Sequence, residues 1–156
     1  MNVFEARKVI DALEKAEKIA QSRPPLPKEI LPSYLKILDK IYQLSLKGKV
    51  RVSDVSKALH QTTPSITRAL CAMDALGWIG KEVSSEDKRV IYVVLKEKGV
   101  EVYHTYIETY FERLSLRLQK YDKGQLEVMA ECINSMYDDF ILNEREYSHF
   151  NARHKW

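Results

Sequence analysis

The chain has 156 residues, 45% of them hydrophobic and 30% charged, enough for one domain with its own core and too apolar for wholesale disorder. No stretch approaches the roughly 18 uninterrupted apolar residues of a membrane span, and the charged N-terminal segment MNVFEARKVIDALEKAEK lacks a secretory apolar core, so a cytoplasmic protein without a membrane partner is expected. The net charge of +3 hides an asymmetry: residues 47–99 hold ten basic and six acidic residues, whereas residues 101–156 hold seven and ten, so a polyanion would meet the middle of the chain.

Residues 3–20 predict a charged helix with a thin apolar stripe of Ala6, Ile10, Leu13 and Ala20. Three prolines within Gln21–Pro27 break it. A second helix is expected from about Ser33, its N-cap, to Leu46, with Leu35, Leu38, Ile41, Tyr42 and Leu46 inward and Gly48 as the C-cap residue. Val50–Val52 suits a short strand. Ser53 is then expected to cap a short helix over Asp54–Leu59, and His60, Gln61 and Thr62 to form a turn. Thr62 or Thr63 caps the next helix, with Pro64 in its first turn, Ile66, Leu70 and Met73 inward, and Gly77 as its stop.

Two alternating strands follow, Ile79–Lys81–Val83 and Ile91–Val93–Leu95, joined by the polar tip SSEDKR. Gly99 marks a junction before a long helix to about Lys120, with Tyr103, Ile107, Tyr110, Leu114 and Tyr121 in helical register. Asp122 caps a last helix in which Leu126, Met129, Ile133, Met136 and Phe140 step by three and four, the spacing of a coiled-coil seam. Cys132, beside that seam, reads as core. The tail NEREYSHFNARHKW has no clear pattern. The fold class is therefore mainly α with a small β-hairpin.

Helix, turn, helix and hairpin in this order place one helix in a DNA groove and basic residues against the backbone. On the second of these helices Pro64, Thr67, Arg68 and Cys71 share one face, with Ser65 beside them. Thr62, Thr63 and Ser65 lie at the helix start, which favours phosphate, and their hydroxyls can bond phosphate or base edges. Arg68 suits a bidentate contact to guanine. At the hairpin tip, Lys88 and Arg89 suit a narrow minor groove, and Asp87 suits the task of holding Arg89 or the turn. The plain readings are an amphipathic helix with a polar face in water and a solvated charged turn.

These residues resemble the MarR (multiple-antibiotic-resistance regulator) family of winged-helix regulators. The likeness rests on Val55-Ser56-Lys57-Ala58-Leu59, Thr62-Thr63-Pro64-Ser65-Ile66-Thr67-Arg68, Met73-Asp74-Ala75-Leu76-Gly77-Trp78-Ile79, Asp87-Lys88-Arg89 and Leu95-Lys96-Glu97-Lys98-Gly99, with Pro32-Ser33-Tyr34-Leu35-Lys36-Ile37-Leu38 matching the opening of the second helix. Pro64 stands one position from the family's usual proline, and Cys71 and Ala72 replace an Asp-Arg pair. The resemblance implies a single MarR-like domain over 1–156, with a winged helix-turn-helix over 33–99 and dimerisation helices over 1–31 and 101–147. It further implies a homodimeric transcriptional regulator, a ligand- or stress-responsive repressor on a palindromic operator in double-stranded DNA.

Family members respond to small aromatic ligands, oxidants or metals. Here Tyr42, Tyr103, Tyr106 and Tyr110 are candidates to line an effector pocket, although aromatics at helical spacing also serve as plain core. Cys71, on the outer face, is a candidate redox sensor or a bystander thiol. Cys71 and Cys132 form no metal- or redox-spaced pair, and His104, His149 and His154 are scattered, so no metal or cofactor is expected. No nucleophile–base pair, phosphate loop or carboxylate pair suggests an enzyme. The competing reading is a winged helix used as a protein-interaction module without sequence-specific DNA binding.

Overall fold

The computed structural model describes residues 2–142. Residues 143–147, the end of the expected C-terminal dimerisation segment, and the tail with His149 and His154 lie outside the described residues. The chain divides into two units, residues 1–111 and residues 112 onward. Among the described residues no helix is long and apolar enough to cross a membrane.

Helix α1 (Val3–Gln21) opens with a capping box: Asn2 Oδ1 accepts from the Glu5 amide at 2.9 Å, and Glu5 Oε2 accepts from the Asn2 amide at 2.8 Å. Of its expected stripe, Ala6 and Leu13 are half-buried, while Ile10 and Ala20 are exposed. Helix α2 (Pro32–Ser45) begins a residue earlier than expected. Leu31 is its N-cap and makes no side-chain cap bond, and Pro32 starts the helix with its fixed φ, so Ser33 lies in the first turn instead. The helix also ends earlier, with Leu46 as the C-cap, which leaves the Leu46 side chain exposed and Gly48 beyond the cap.

A two-residue strand, β1 (Val50–Arg51), leads directly into α3 (Val52–Ala58). Asp54, rather than Ser53, secures this start, because its Oδ2 accepts from the Arg51 amide at 2.9 Å. Helix α3 closes in a Schellman motif. His60 takes a left-handed φ of 50°, its amide bonds to the Lys57 carbonyl at 3.1 Å, and the Gln61 amide bonds to the Ser56 carbonyl at 3.0 Å.

Helix α4 (Thr63–Ala75) closes the same way on Gly77 (φ 77°), with the Gly77 amide to Asp74 at 2.9 Å and the Trp78 amide to Met73 at 3.0 Å. Thr62 is the N-cap of α4, yet its hydroxyl makes no cap bond. The Thr63 hydroxyl instead lies 3.3 Å from the Ser56 hydroxyl and ties the two helices together.

Strands β2 (Ile79–Val83) and β3 (Ile91–Leu95) pair antiparallel, and β1 adds to the far side of β3, giving the order β1-β3-β2. Register pairs Ile79 with Leu95, Lys81 with Val93, Val93 with Val50, and Val83 with Ile91. These residues share one face, and Ile79, Val93 and Val50 are buried on it. The alternation does not continue inward: Lys81 is exposed although it pairs with buried Val93, and Val83 and Ile91, the outermost pair, are exposed where the hairpin extends past the core. The core joins these strand residues and Trp78 to Leu35, Ile37, Leu38 and Ile41 of α2, Val55 of α3, and Ile66, Leu70 and Met73 of α4.

The helix after the sheet is not continuous. It starts at α5 (Glu97–Val102), so Gly99 lies inside its first turn and not ahead of the helix. It then widens into a π-helical stretch over Tyr103–Glu108 before α6 (Thr109–Leu118). There the Thr109 amide bonds to the His104 carbonyl, and the Thr109 hydroxyl donates to the same oxygen at 3.0 Å. In the second unit, α7 (Lys123–Tyr137) is capped by Asp122, whose Oδ1 accepts from the Gln125 amide at 2.9 Å. Along its stripe Leu126, Ile133 and Met136 are half-buried, and Met129 and Phe140 are exposed. Cys132 is exposed in this chain, against the core position expected for it.

Gly99 joins α5 to the sheet by close approach. A Cβ there would stand 2.0 Å from the Trp78 carbonyl oxygen, the same oxygen that accepts from the Lys96 amide at 3.0 Å. Gly99→Ala is therefore expected to destabilise the fold by about 1–3 kcal/mol through backbone displacement. Denaturant unfolding with an unchanged midpoint would show that the contact relaxes freely.

Candidate nucleic-acid interface

Helix α4 has two opposite faces. Ile66, Leu70 and Met73 are completely buried, which fixes the helix about its own axis. Thr63, Pro64, Ser65, Thr67, Arg68 and Cys71 are all exposed. No side chain caps the first-turn amides, which leaves them open to an anion at the positive end of the helix dipole. Among the described residues Arg68 takes part in no salt bridge, so its guanidinium is open to a ligand.

The hairpin tip is organised by two side chains. Ser84 is buried, and its hydroxyl accepts from the amides of Glu86 at 3.2 Å and Asp87 at 3.4 Å. Asp87 Oδ1 accepts from the Arg89 amide at 2.9 Å and from Arg89 Nε at 3.2 Å, and its Oδ2 accepts from a terminal guanidinium nitrogen at 3.4 Å. The Arg89 backbone amide, and after it the Arg89 guanidinium, hold the Asp87 carboxyl below the usual aspartate range, and the Arg51 charge adds to them. Arg89 remains 91% exposed, so the clasp sets its direction and leaves guanidinium N–H groups for a partner. Ser84 was absent from the sequence-based candidates; its signal is the Ser-x-x-Asp spacing of a hydroxyl-closed turn.

Two lysines reach α4, Lys81 from β2 and Lys96 from the N-cap of α5. Lys96 Nζ lies 3.3 Å from Asp74 Oδ1, and Lys81 Nζ lies 3.1 Å from Cys71 Sγ.

Of the four candidate pocket tyrosines, two touch each other directly. Tyr42 and Tyr103 stack, with centroids 3.7 Å apart and an interplanar angle of 10°, so each ring covers a face of the other. Gln43 Nε2 donates to Tyr103 Oη at 3.4 Å. Burial pushes the Tyr103 phenol up, helped by the negative charge of Asp39, and burial likewise pushes the Asp39 carboxyl up. Tyr106 is half-buried at the margin of the core. Tyr110 is engaged by the Arg23 guanidinium, 4.9 Å from its ring centroid, and by the edge of Phe111.

The Asp87 clasp predicts a pH dependence. A carboxyl with a lowered folded pKa contributes stability above its ordinary range and loses it as the pH falls through the lowered value. The Arg89 amide resonance is therefore expected to titrate with a midpoint below the ordinary aspartate range, and Asp87→Asn to abolish that titration. A midpoint at the ordinary aspartate value would contradict the clasp.

No family model and no curated protein matches the sequence. Solved structures do match. FabT from Streptococcus pneumoniae in complex with DNA aligns with a TM-score of 0.66 at 19% identity, covering 87% of this chain and 95% of that one. The S. aureus MepR–DNA complex aligns with a TM-score of 0.62 at 17% identity, covering 87% and 95%. A MarR family protein from Bacillus stearothermophilus aligns with a TM-score of 0.55 at 19% identity, covering 89% and 97%. At these identities the likeness is one of architecture, and it agrees with the helix, turn, helix and hairpin built up above: the chain has the winged helix-turn-helix fold of MarR-type regulators.

Proposed function

We propose that this chain is a DNA-binding transcriptional regulator of the MarR family, acting as a homodimer on a palindromic site. The observation that carries the reading is the division of α4. Three fully buried side chains force Thr63, Ser65, Thr67 and Arg68 outward beside an uncapped helix start, and the wing adds the oriented Arg89 and the exposed Lys88. Arg68 reads a base edge, the helix start and the hydroxyls bind phosphate, and Lys88 and Arg89 enter the adjacent minor groove.

Dimerisation is supported by apolar side chains that a single chain leaves in water. Val3 and Phe4 on α1, Leu116 on α6, and Val128 and Met129 on α7 are each more than half exposed, and such surface usually meets a partner. A two-fold axis then sets the two copies of α4 about 34 Å apart, one turn of B-DNA. A small aromatic effector that favours another spacing of these helices would release the DNA. Its candidate site lies at the Tyr42–Tyr103 stack, and repression is the regulatory outcome that fits release on signal.

The test is selection of bound sequences from a random duplex pool, read as a preference logo. The wild-type protein is expected to select a two-fold symmetric site. Arg68→Ala is expected to cost about 1–3 kcal/mol at that site and to relax the preference at one base pair in each half. An unchanged logo for the variant would remove Arg68 from base reading, and failure of the wild type to retain any duplex at low salt would leave the winged helix as a protein-interaction module.

A further inference from the structure

We infer that Lys81, a strand residue outside the recognition helix, is a phosphate-binding residue on the DNA-facing side of α4, positioned there by Cys71. The inference deepens the DNA-binding reading above and rests on it. In the sheet register Lys81 stands beside Val93, and Val93 beside Val50, both valines buried. Paired residues share a face, so the Lys81 side chain starts toward the core. An ammonium group cannot stay there without a charged partner. Lys81 is instead exposed, as a long side chain that carries its charge out to water is, and Nζ lies 3.1 Å from Cys71 Sγ. Cys71 lies three residues after Arg68 and four after Thr67 on the exposed face, so the ammonium is delivered next to the two side chains assigned to DNA.

Charge distinguishes this lysine from its neighbour. Lys96, at the N-cap of α5, makes a comparable reach but meets the Asp74 carboxylate. Lys81 meets a thiol, and among the described residues it enters no salt bridge. Helix α4 itself, TPSITRALCAMDA, carries one basic residue, Arg68, against one acid, Asp74. Lys81 therefore adds to the C-terminal half of this face the positive charge that the helix sequence omits. A compact ammonium on a flexible stem suits a phosphate oxygen, for which a point charge suffices, better than the planar, two-pronged reading of a base.

The experiment measures the dissociation constant for a 30-base-pair duplex of mixed sequence between about 50 and 200 mM salt. It compares the wild type with Lys81→Gln, Lys81→Arg and Arg89→Ala. Each phosphate contact contributes about 0.9 to the log–log salt slope. Lys81→Gln is expected to flatten the slope by about that amount for every copy bound, and Lys81→Arg to restore it. A wild-type slope in Lys81→Gln, while Arg89→Ala flattens it, would overturn this inference and leave the DNA-binding reading intact. Weaker binding at an unchanged slope would also overturn it, since it marks Lys81 as structural support. Indifference of the wild-type protein to duplex at the lowest salt would overturn both.

Discussion

The arrangement depends on the complete burial of one face of α4. Ile66, Leu70 and Met73 have no exposed surface, and each contributes on the order of 1.5–3 kcal/mol by leaving water. Turning the helix by one residue would expose them and bury Thr67 and Asp74 one way, or Ser65 the other, whose polar groups have no partners inside. The outward presentation of Thr63, Ser65, Thr67 and Arg68 is therefore a consequence of packing. Both helices of the pair end in the same six-to-one and five-to-two backbone bonds, so the angle between them is set by a left-handed residue at His60, and the departure into the sheet by another at Gly77.

The hairpin applies a similar logic to charge. Acidic residues beside Lys88 and Arg89 look opposed to a polyanion partner, yet Asp87 spends its oxygens on the backbone amide and guanidinium of Arg89. Ser84 takes the amides of Glu86 and Asp87. The tip is thus a preformed loop that aims a cation, and the carboxylate is the device that aims it. The same economy appears where Lys81 rests on Cys71: the sheet places a charge on a helix that is itself almost uncharged.

Much of this was legible in the sequence wherever one periodicity or one strong local signal governs. The three- and four-residue spacing of Ile66, Leu70 and Met73, the stop at Gly77 and the Asp122 cap emerge in the structure as read. Where two nearby residues compete, the local signal was insufficient. Asp54 outbids Ser53 for the start of α3, because a carboxylate reaches back to the Arg51 amide, and Pro32 starts α2 without help from Ser33.

Features that depend on pairing between distant segments were invisible. The exposure of Val83 and Ile91 follows from how far the helices cover the sheet, and the Tyr42–Tyr103 stack and the Lys81–Cys71 contact require the fold itself. The π-helical stretch at Tyr103–Glu108 escaped because the wider backbone bond from Thr109 to His104 and the hydroxyl bond beside it leave no periodic trace in the sequence.

The most direct test of the central claim is a titration of isotopically labelled protein with a selected duplex, following the backbone amides by NMR. The account predicts shifts gathered in two stretches, residues 62–71 and 84–90, with the buried face of α2 at Leu35, Leu38 and Ile41 left still. Shifts absent from those two stretches, or confined to α1 and α7, would contradict it.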